Sequence, residues 1–162
     1  MIRAIMAADD LGGISKNGSM PWPKNSSDLQ WFKKNTMNSV VIMGRLTWID
    51  PFMPSPLKGR INVLVTSQDK EVYIGADEYL SGDILTRVLS LANKYKDKDI
   101  YVIGGAEILN QLFELIEEFY LTRIYGNFDC DKNIDLKKIQ GSMKIVNKIK
   151  NDINSHFEIW KK

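Results

Sequence analysis

The chain has 162 residues, 44% hydrophobic and 26% charged, and its 22 basic and 20 acidic side chains leave a net charge of +2. This is the balance of one ordinary globular domain with a sizeable core, and because the signs are interspersed, as in "KYKDKD" (94–99), it lacks the basic stripe that nucleic-acid binding needs. Cys130 is the only cysteine and His156 the only histidine, which excludes an intrachain disulfide framework, a thiolate zinc cluster and a histidine-built metal site, so no metal is expected.

"MIRAIMAADD" is apolar only until Asp9-Asp10, too briefly for a signal peptide or a membrane span, and a cytoplasmic protein is expected. Within it "IRAIMAA" (2–8) has strand length. The loop "DDLGGISKNGSMPWP" (9–23) is long and Gly-rich enough to be a functional lid. Asn25, Ser26 and Ser27 are cap candidates for a helix reaching about Thr36. Asp28 falls in its first turn and shares a face with Phe32. A first-turn aspartate is ordinarily a cap; one set against an apolar pocket can do chemistry.

"SVVIMG" (39–44) is a buried-type strand ending in glycine, followed by a helical turn from about Arg45. Pro51, Pro54 and Pro56 exclude regular structure from "IDPFMPSPLKGR" (49–60). "INVLVTS" (61–67) is a strand, and "EVYIGA" (71–76) holds a minor one. "SGDILTRVLSLANKY" (81–95) places Leu85, Val88, Leu89 and Ala92 on one helical stripe. "IYVIGG" (100–105) is another buried strand, and Leu109, Leu112, Phe113 and Ile116 repeat the stripe after it. "FYLTRIYGNF" (119–128) is a strand. "MKIVNKIK" (143–150) and "SHFEIWKK" (155–162) form an antiparallel hairpin that carries His156 as a surface residue, while Cys130 is a small filler. Strand and helix alternate until that hairpin, so the expected fold is single-domain α/β, with a mainly parallel sheet and an antiparallel edge.

"VVIMGRLTW" and "IYVIGGAEIL" share a design: a buried strand, a terminal glycine, then a helix. Ligands of such sheets bind beyond the carboxyl ends of the strands, where glycine admits a close backbone approach. Neither stretch is GxGxxG, and no GxxxxGK[ST] occurs. Arg45 brings a fixed positive charge beside Gly44, and "VTSQ" adds the hydroxyls of Thr66 and Ser67. Three donor-rich strand ends suit a large phosphorylated cofactor.

With "GGISKNGSMPW", "DLQWFKKNT", "VVIMGRLTW", "LKGR", "VIGGAEI" and "YLTRI" in order along its length, the chain resembles the dihydrofolate reductases. The resemblance implies an eight-stranded, mostly parallel sheet flanked by about four helices, with an adenosine-binding subdomain at roughly 39–92. It also implies NADPH-dependent reduction of 7,8-dihydrofolate to tetrahydrofolate, with antifolates as expected inhibitors; a monomer is expected because no extended apolar segment is left unassigned. On that resemblance Asp28 binds the pterin, with Thr122 in its hydrogen-bond network and Met20 and Trp22 closing the lid over it. Ile5, Leu29, Phe32, Leu57 and Ile103 would wall the substrate, with Ala7 touching both ligands and Arg60 clasping the glutamate carboxylate. The nicotinamide half would meet Gly13, Ile14, Ser15, Ser19 and Met20. Gly44, Arg45, Leu46, Thr47, Thr66, Ser67 and Gln68 would hold the adenosine phosphates. Gly104 and Gly105, joined by a cis peptide in that family, would back the cofactor together with Ala106, Glu107, Ile108 and Leu109.

Some positions depart from the family pattern. Trp22 to Asp28 carries one extra residue, Leu46 replaces a basic or polar side chain, and Leu109 replaces a tyrosine near the nicotinamide. "CDKNID" (130–135) keeps only Asp131 of the usual loop after "YLTRI", so pairing of that loop with the lid is not assumed. Two rival readings remain: a pterin- or pyrimidine-type reductase of the same fold, and a noncatalytic cofactor-binding relative.

Overall fold

The structure is a computed structural model describing residues 1–162. Eight strands form one sheet: β1 (Ile2–Ala8), β3 (Val40–Gly44), β4 (Ile61–Val65), β5 (Glu78–Leu80), β6 (Ile100–Gly104), β7 (Glu118–Ile124), β9 (Lys144–Asp152) and β10 (Ser155–Lys161). Their order is β5-β4-β3-β6-β1-β7-β10-β9. All pairs are parallel except those made by β10, which runs antiparallel to both β7 and β9. Two short strands, β2 (Gly13–Ser15) and β8 (Lys132–Asn133), make a separate antiparallel pair.

Five helices cover the sheet: α1 (Ser26–Thr36), α2 (Arg45–Trp48), α3 (Ile84–Lys94), α4 (Ala106–Leu112) and α5 (Leu136–Ser142). Buried β3 and β6 are apolar through and through, as strands covered on both faces must be. One apolar core packs α3, α4 and α5 against one face of the sheet. A second joins Ile5, Val41, Met43, Leu57, Tyr101 and Ile103 with Trp31 and Phe32 of α1 on the other.

Several local details differ from expectation. The minor strand lies at Glu78–Leu80 instead of 71–76, where Val72 and Ile74 are exposed. Leu89 is 52% exposed, and Leu91 takes its place in the core beside Val88: the stripe turns one position around α3. The strand expected over 119–128 ends at Ile124, where Gly126 takes a positive φ. His156 is no free surface residue, because its ring bonds to the Tyr125 hydroxyl (2.8 Å) and to Glu158 (2.7 Å).

Candidate active site

The carboxyl ends of β4, β3, β6 and β1 open onto one cleft of about 840 Å³, large enough for a dinucleotide. Its floor is Gly44, Gly104 and Gly105, and the Gly104–Gly105 peptide is cis. A Cβ on Gly44 would lie 2.9 Å from Cγ1 of Ile108, so glycine there leaves room that any side chain would take. Ala7, Leu46, Thr47, Thr66, Ser67, Gln68, Ala106 and Glu107 also line the cleft, together with Ile14, Ser15 and Met20 from the lid. Arg45 stands exposed at its rim with no carboxylate of the chain paired to it. An unpaired guanidinium, the hydroxyls of Thr47, Thr66 and Ser67 and a glycine floor are a donor set suited to a phosphorylated dinucleotide.

Asp28 sits beside that cleft, held by α1. Asn25 is the cap: its Oδ1 accepts the Asp28 N–H at 3.0 Å, which fixes where the first turn begins. From there Asp28 points inward and is only 9% exposed. Thr122 of β7 donates its hydroxyl to Asp28 Oδ1 at 2.6 Å, a bond spanning 94 residues of sequence. Burial pushes the carboxyl above its ordinary value. The Thr122 bond opposes that shift, and the negative charge of Asp152 adds to it.

A narrow cavity of about 20 Å³ lies against Asp28, lined by Met20, Trp22, Lys24, Asn25, Leu29 and Phe52. It has room for a water-sized group and not for a ring. Met20 lines both this cavity and the cleft, so the lid is the partition between them. Ile103 reaches the cleft directly, whereas Ile5 and Leu57 are buried in the core behind it, and Phe32 packs on that core. Arg60 is half-buried and tied down, bonding to the Lys58 carbonyl (2.9 Å) and to the Thr36 hydroxyl (3.2 Å). It has no acidic partner in the chain, and burial lowers its affinity for its proton.

Three expected cofactor contacts stand elsewhere. Leu109 is 2% exposed and faces the core beside Leu112 and Phe113; the helical stripe that α4 shares with those residues turns it away from the cleft. Gly13 packs where a Cβ would lie 2.6 Å from Cys130, and Ser19 bonds to Asp50 (3.1 Å) across the lid's mouth. The lid is paired to the 130–135 loop after all. Strand β2 runs against β8, Asp131 accepts the Asn17 N–H at 3.0 Å, and the Ile134 N–H bonds to the Gly12 carbonyl.

Asp9 is an anchor of the lid that sequence reasoning missed. It is buried, and its carboxylate accepts the N–H groups of Leu11 and Gly13 through Oδ1 and that of Phe128 through Oδ2. It thus knots the start of the lid to the loop after β7. Asp50, Phe52 and Met53 at the rim were hidden by their proline-rich surroundings.

A doubly covered α/β sheet, a dinucleotide-sized cleft at its carboxyl edge and a buried acid beside it define a nucleotide-dependent oxidoreductase. The dihydrofolate reductase family profile matches residues 1–162, and the chain belongs to that family. It is 33% identical over 166 residues to dihydrofolate reductase type 8 of Escherichia coli, covering 99% of this chain and 96% of that protein. To the dihydrofolate reductase of Gallus gallus it is 32% identical over 143 residues, 80% of this chain and 75% of the other. Among solved structures, dihydrofolate reductase from Enterococcus faecalis complexed with NADP(H) and RAB-propyl superposes with a TM-score of 0.81 at 26% identity. That match covers 99% of this chain and 95% of the other.

Proposed function

We propose that this chain reduces 7,8-dihydrofolate to 5,6,7,8-tetrahydrofolate with NADPH, and that Asp28 is the carboxylate that binds the pterin. The observation that carries the assignment of Asp28 is its setting. It is a buried acid with Oδ1 engaged by Thr122, and it opens on a cavity that shares Met20 with the dinucleotide-sized cleft.

A nicotinamide held in the cleft would supply the hydride for pterin C6. The residues of the chain do the rest. Asp28 takes the amino group and ring nitrogen at the far side of the pterin, and its negative charge favours the substrate protonated at N5. Thr122 holds the carboxylate plane in register for that contact. Met20 and Trp22 close over the ring and keep bulk water from the reacting face, while water admitted under the lid delivers the proton. Arg60, prepositioned by Thr36, clasps the glutamate α-carboxylate. Arg45, Thr47, Thr66, Ser67 and Gln68 hold the adenosine phosphates, with Arg45 and Ser67 on the 2′-phosphate.

The support for an adenosine-binding subdomain at about 39–92 is that β3, β4, β5 and most of α3 fall there, at one end of the sheet. A cytoplasmic monomer, sensitive to antifolates, completes the reading. The single free cysteine, which needs no oxidising compartment, supports the cytoplasmic part of it. No helix is long and apolar enough to cross a membrane.

Following NADPH absorbance with and without dihydrofolate tests the assignment. Oxidation that depends on dihydrofolate is expected. A folded protein that binds NADPH and turns nothing over would leave only the noncatalytic reading.

A further inference from the structure

The turn between β9 and β10 lies more than 120 residues from Asp28 in sequence, yet it grips the residue that caps α1. Asn25 Nδ2 donates to Asp152 Oδ2 (3.3 Å) and to Ser155 Oγ (3.1 Å), and Asn151 Nδ2 reaches back to Asn25 Oδ1 at 3.4 Å. The turn is braced from within. Ser155, fully buried, donates to Asp152 Oδ1 at 2.7 Å and accepts from Asn151 at 2.8 Å, while the Asn154 N–H bonds to Asp152 Oδ1 at 2.9 Å. Cap and turn are therefore one polar network. The Asn25 oxygen in it is the same atom that receives the Asp28 N–H.

We propose that this turn is a positioning element for Asp28: Asn151, Asp152 and Ser155 hold the cap Asn25 in place, and the Asp152 carboxylate, bonded to that same cap, adds negative charge beside Asp28. The proposal rests on the reading of Asp28 as the pterin-binding acid. Few charges face that acid. Lys24 of the lid lines its cavity, and Asp152 is bonded to Asn25, the cap that receives the Asp28 N–H. Arg123, His156 and Glu158 pair with one another on strand positions that alternate away from Thr122 and Phe157, so they occupy the opposite sheet face.

The serine and asparagine bonds hold Asp152 in its anionic form, below the ordinary carboxylate range. Its charge then acts in one direction on both partners. It makes the Asp28 proton harder to lose, and it makes a protonated substrate in the same pocket more favourable. Losing Asp152 must weaken both.

Two substitutions test the charge and the grip. Asp152→Asn removes the charge and keeps the oxygen that Ser155 and the Asn154 N–H use, while its amide gives up the Asn25 bond to Oδ2. Asn25→Ser keeps a capping oxygen and removes the amide that holds the turn. The Asp28 titration is read by carboxyl-carbon NMR, assigned against Asp28→Asn, with circular dichroism as the check on folding. In Asp152→Asn the Asp28 midpoint moves down, and the alkaline fall of turnover begins at lower pH. In Asn25→Ser, kcat near neutral pH falls about 10- to 100-fold through misplacement of the acid, while NADPH affinity stays unchanged. An Asp28 midpoint that ignores Asp152→Asn overturns the charge coupling, and wild-type kcat in Asn25→Ser overturns the grip. If the NMR midpoint moves while the turnover profile stays fixed, the coupling stands and the catalytic reading of Asp28 fails instead.

Discussion

Replacing Asp28 by asparagine should make the protein more stable and nearly inactive, and both effects follow from the same burial. The carboxylate has one protein donor, Thr122, on Oδ1, and no protein donor on Oδ2. Asp28 lines the water-sized cavity, so the cost of the ionised form is that of holding a charge in a largely desolvated site, about 1–3 kcal/mol. Asparagine keeps the acceptor for Thr122 and carries no charge, so at neutral pH most of that cost is recovered. A gain of that size raises the melting temperature by about 2–4 °C per kcal/mol in a domain of this size. Because burial raises the folded-state pKa above the unfolded one, the wild-type stability contribution of this group is present below the unfolded value and lost as pH rises through the folded value. The two proteins should therefore differ most near pH 7 and converge in acid. Turnover should fall about 10²–10⁴-fold at neutral pH and recover partly at acidic pH, where the substrate is already protonated. Thermal melts at several pH values, run beside the NADPH assay, check all of this. A variant less stable than wild type at pH 7, or one with unchanged turnover there, refutes the reasoning.

Arg60→Leu should weaken dihydrofolate binding about 10- to 100-fold, the worth of a charge-assisted hydrogen bond, and leave NADPH affinity near wild type; equal loss of both ligands counts against the carboxylate clasp. Gly13→Ala places a Cβ 2.6 Å from Cys130 and 2.8 Å from the Asp9 carboxylate, so it should pry the lid from its partner loop and lower kcat by roughly tenfold. Stopped-flow separation of hydride transfer from product release locates that loss; an unaltered kcat means the lid tolerates the displacement. Burial pushes the Cys130 thiol up to about 11, so alkylation by iodoacetamide at pH 7.5 should be far slower than that of a free thiol, and a rate matching free cysteine would contradict the packing.

The fold was legible where a stripe or an alternation covers a whole element. The strand at 39–44 and the terminal hairpin are apolar or alternating from end to end, and a helix start was readable from three adjacent cap candidates, Asn25, Ser26 and Ser27, of which the fold uses Asn25. What failed was local. Leu89 and Leu91 are the same residue type two positions apart on α3, and the interhelical space alone chooses Leu91. The cleft residues were legible because glycine, arginine and hydroxyls gathered at strand ends. Asp9 was not, since a carboxylate beside a second aspartate in a loop looks like solvent-facing charge. Only the chain's return at Phe128 shows that it is buried.

The 130–135 loop shows why sequence divergence misled most at the lid. Cys130, Ile134 and Asp135 depart from the family pattern, so pairing with the lid was not assumed from the sequence. The pairing survives because almost none of it depends on those side chains. It uses the Ile134 N–H, the Asp131 N–H and the Gly12 and Ser15 carbonyls, which any residue except proline can supply. The side-chain contributions come from Asp131, which accepts the Asn17 N–H, and from Asp9, which accepts those of Gly13 and Phe128. Two carboxylates and a set of backbone groups therefore fix the lid's register, and the positions between them are free to change. Ile134 uses that freedom to bury its side chain in the main core, so the altered loop is tied to the body of the protein by an apolar contact as well as by its ladder.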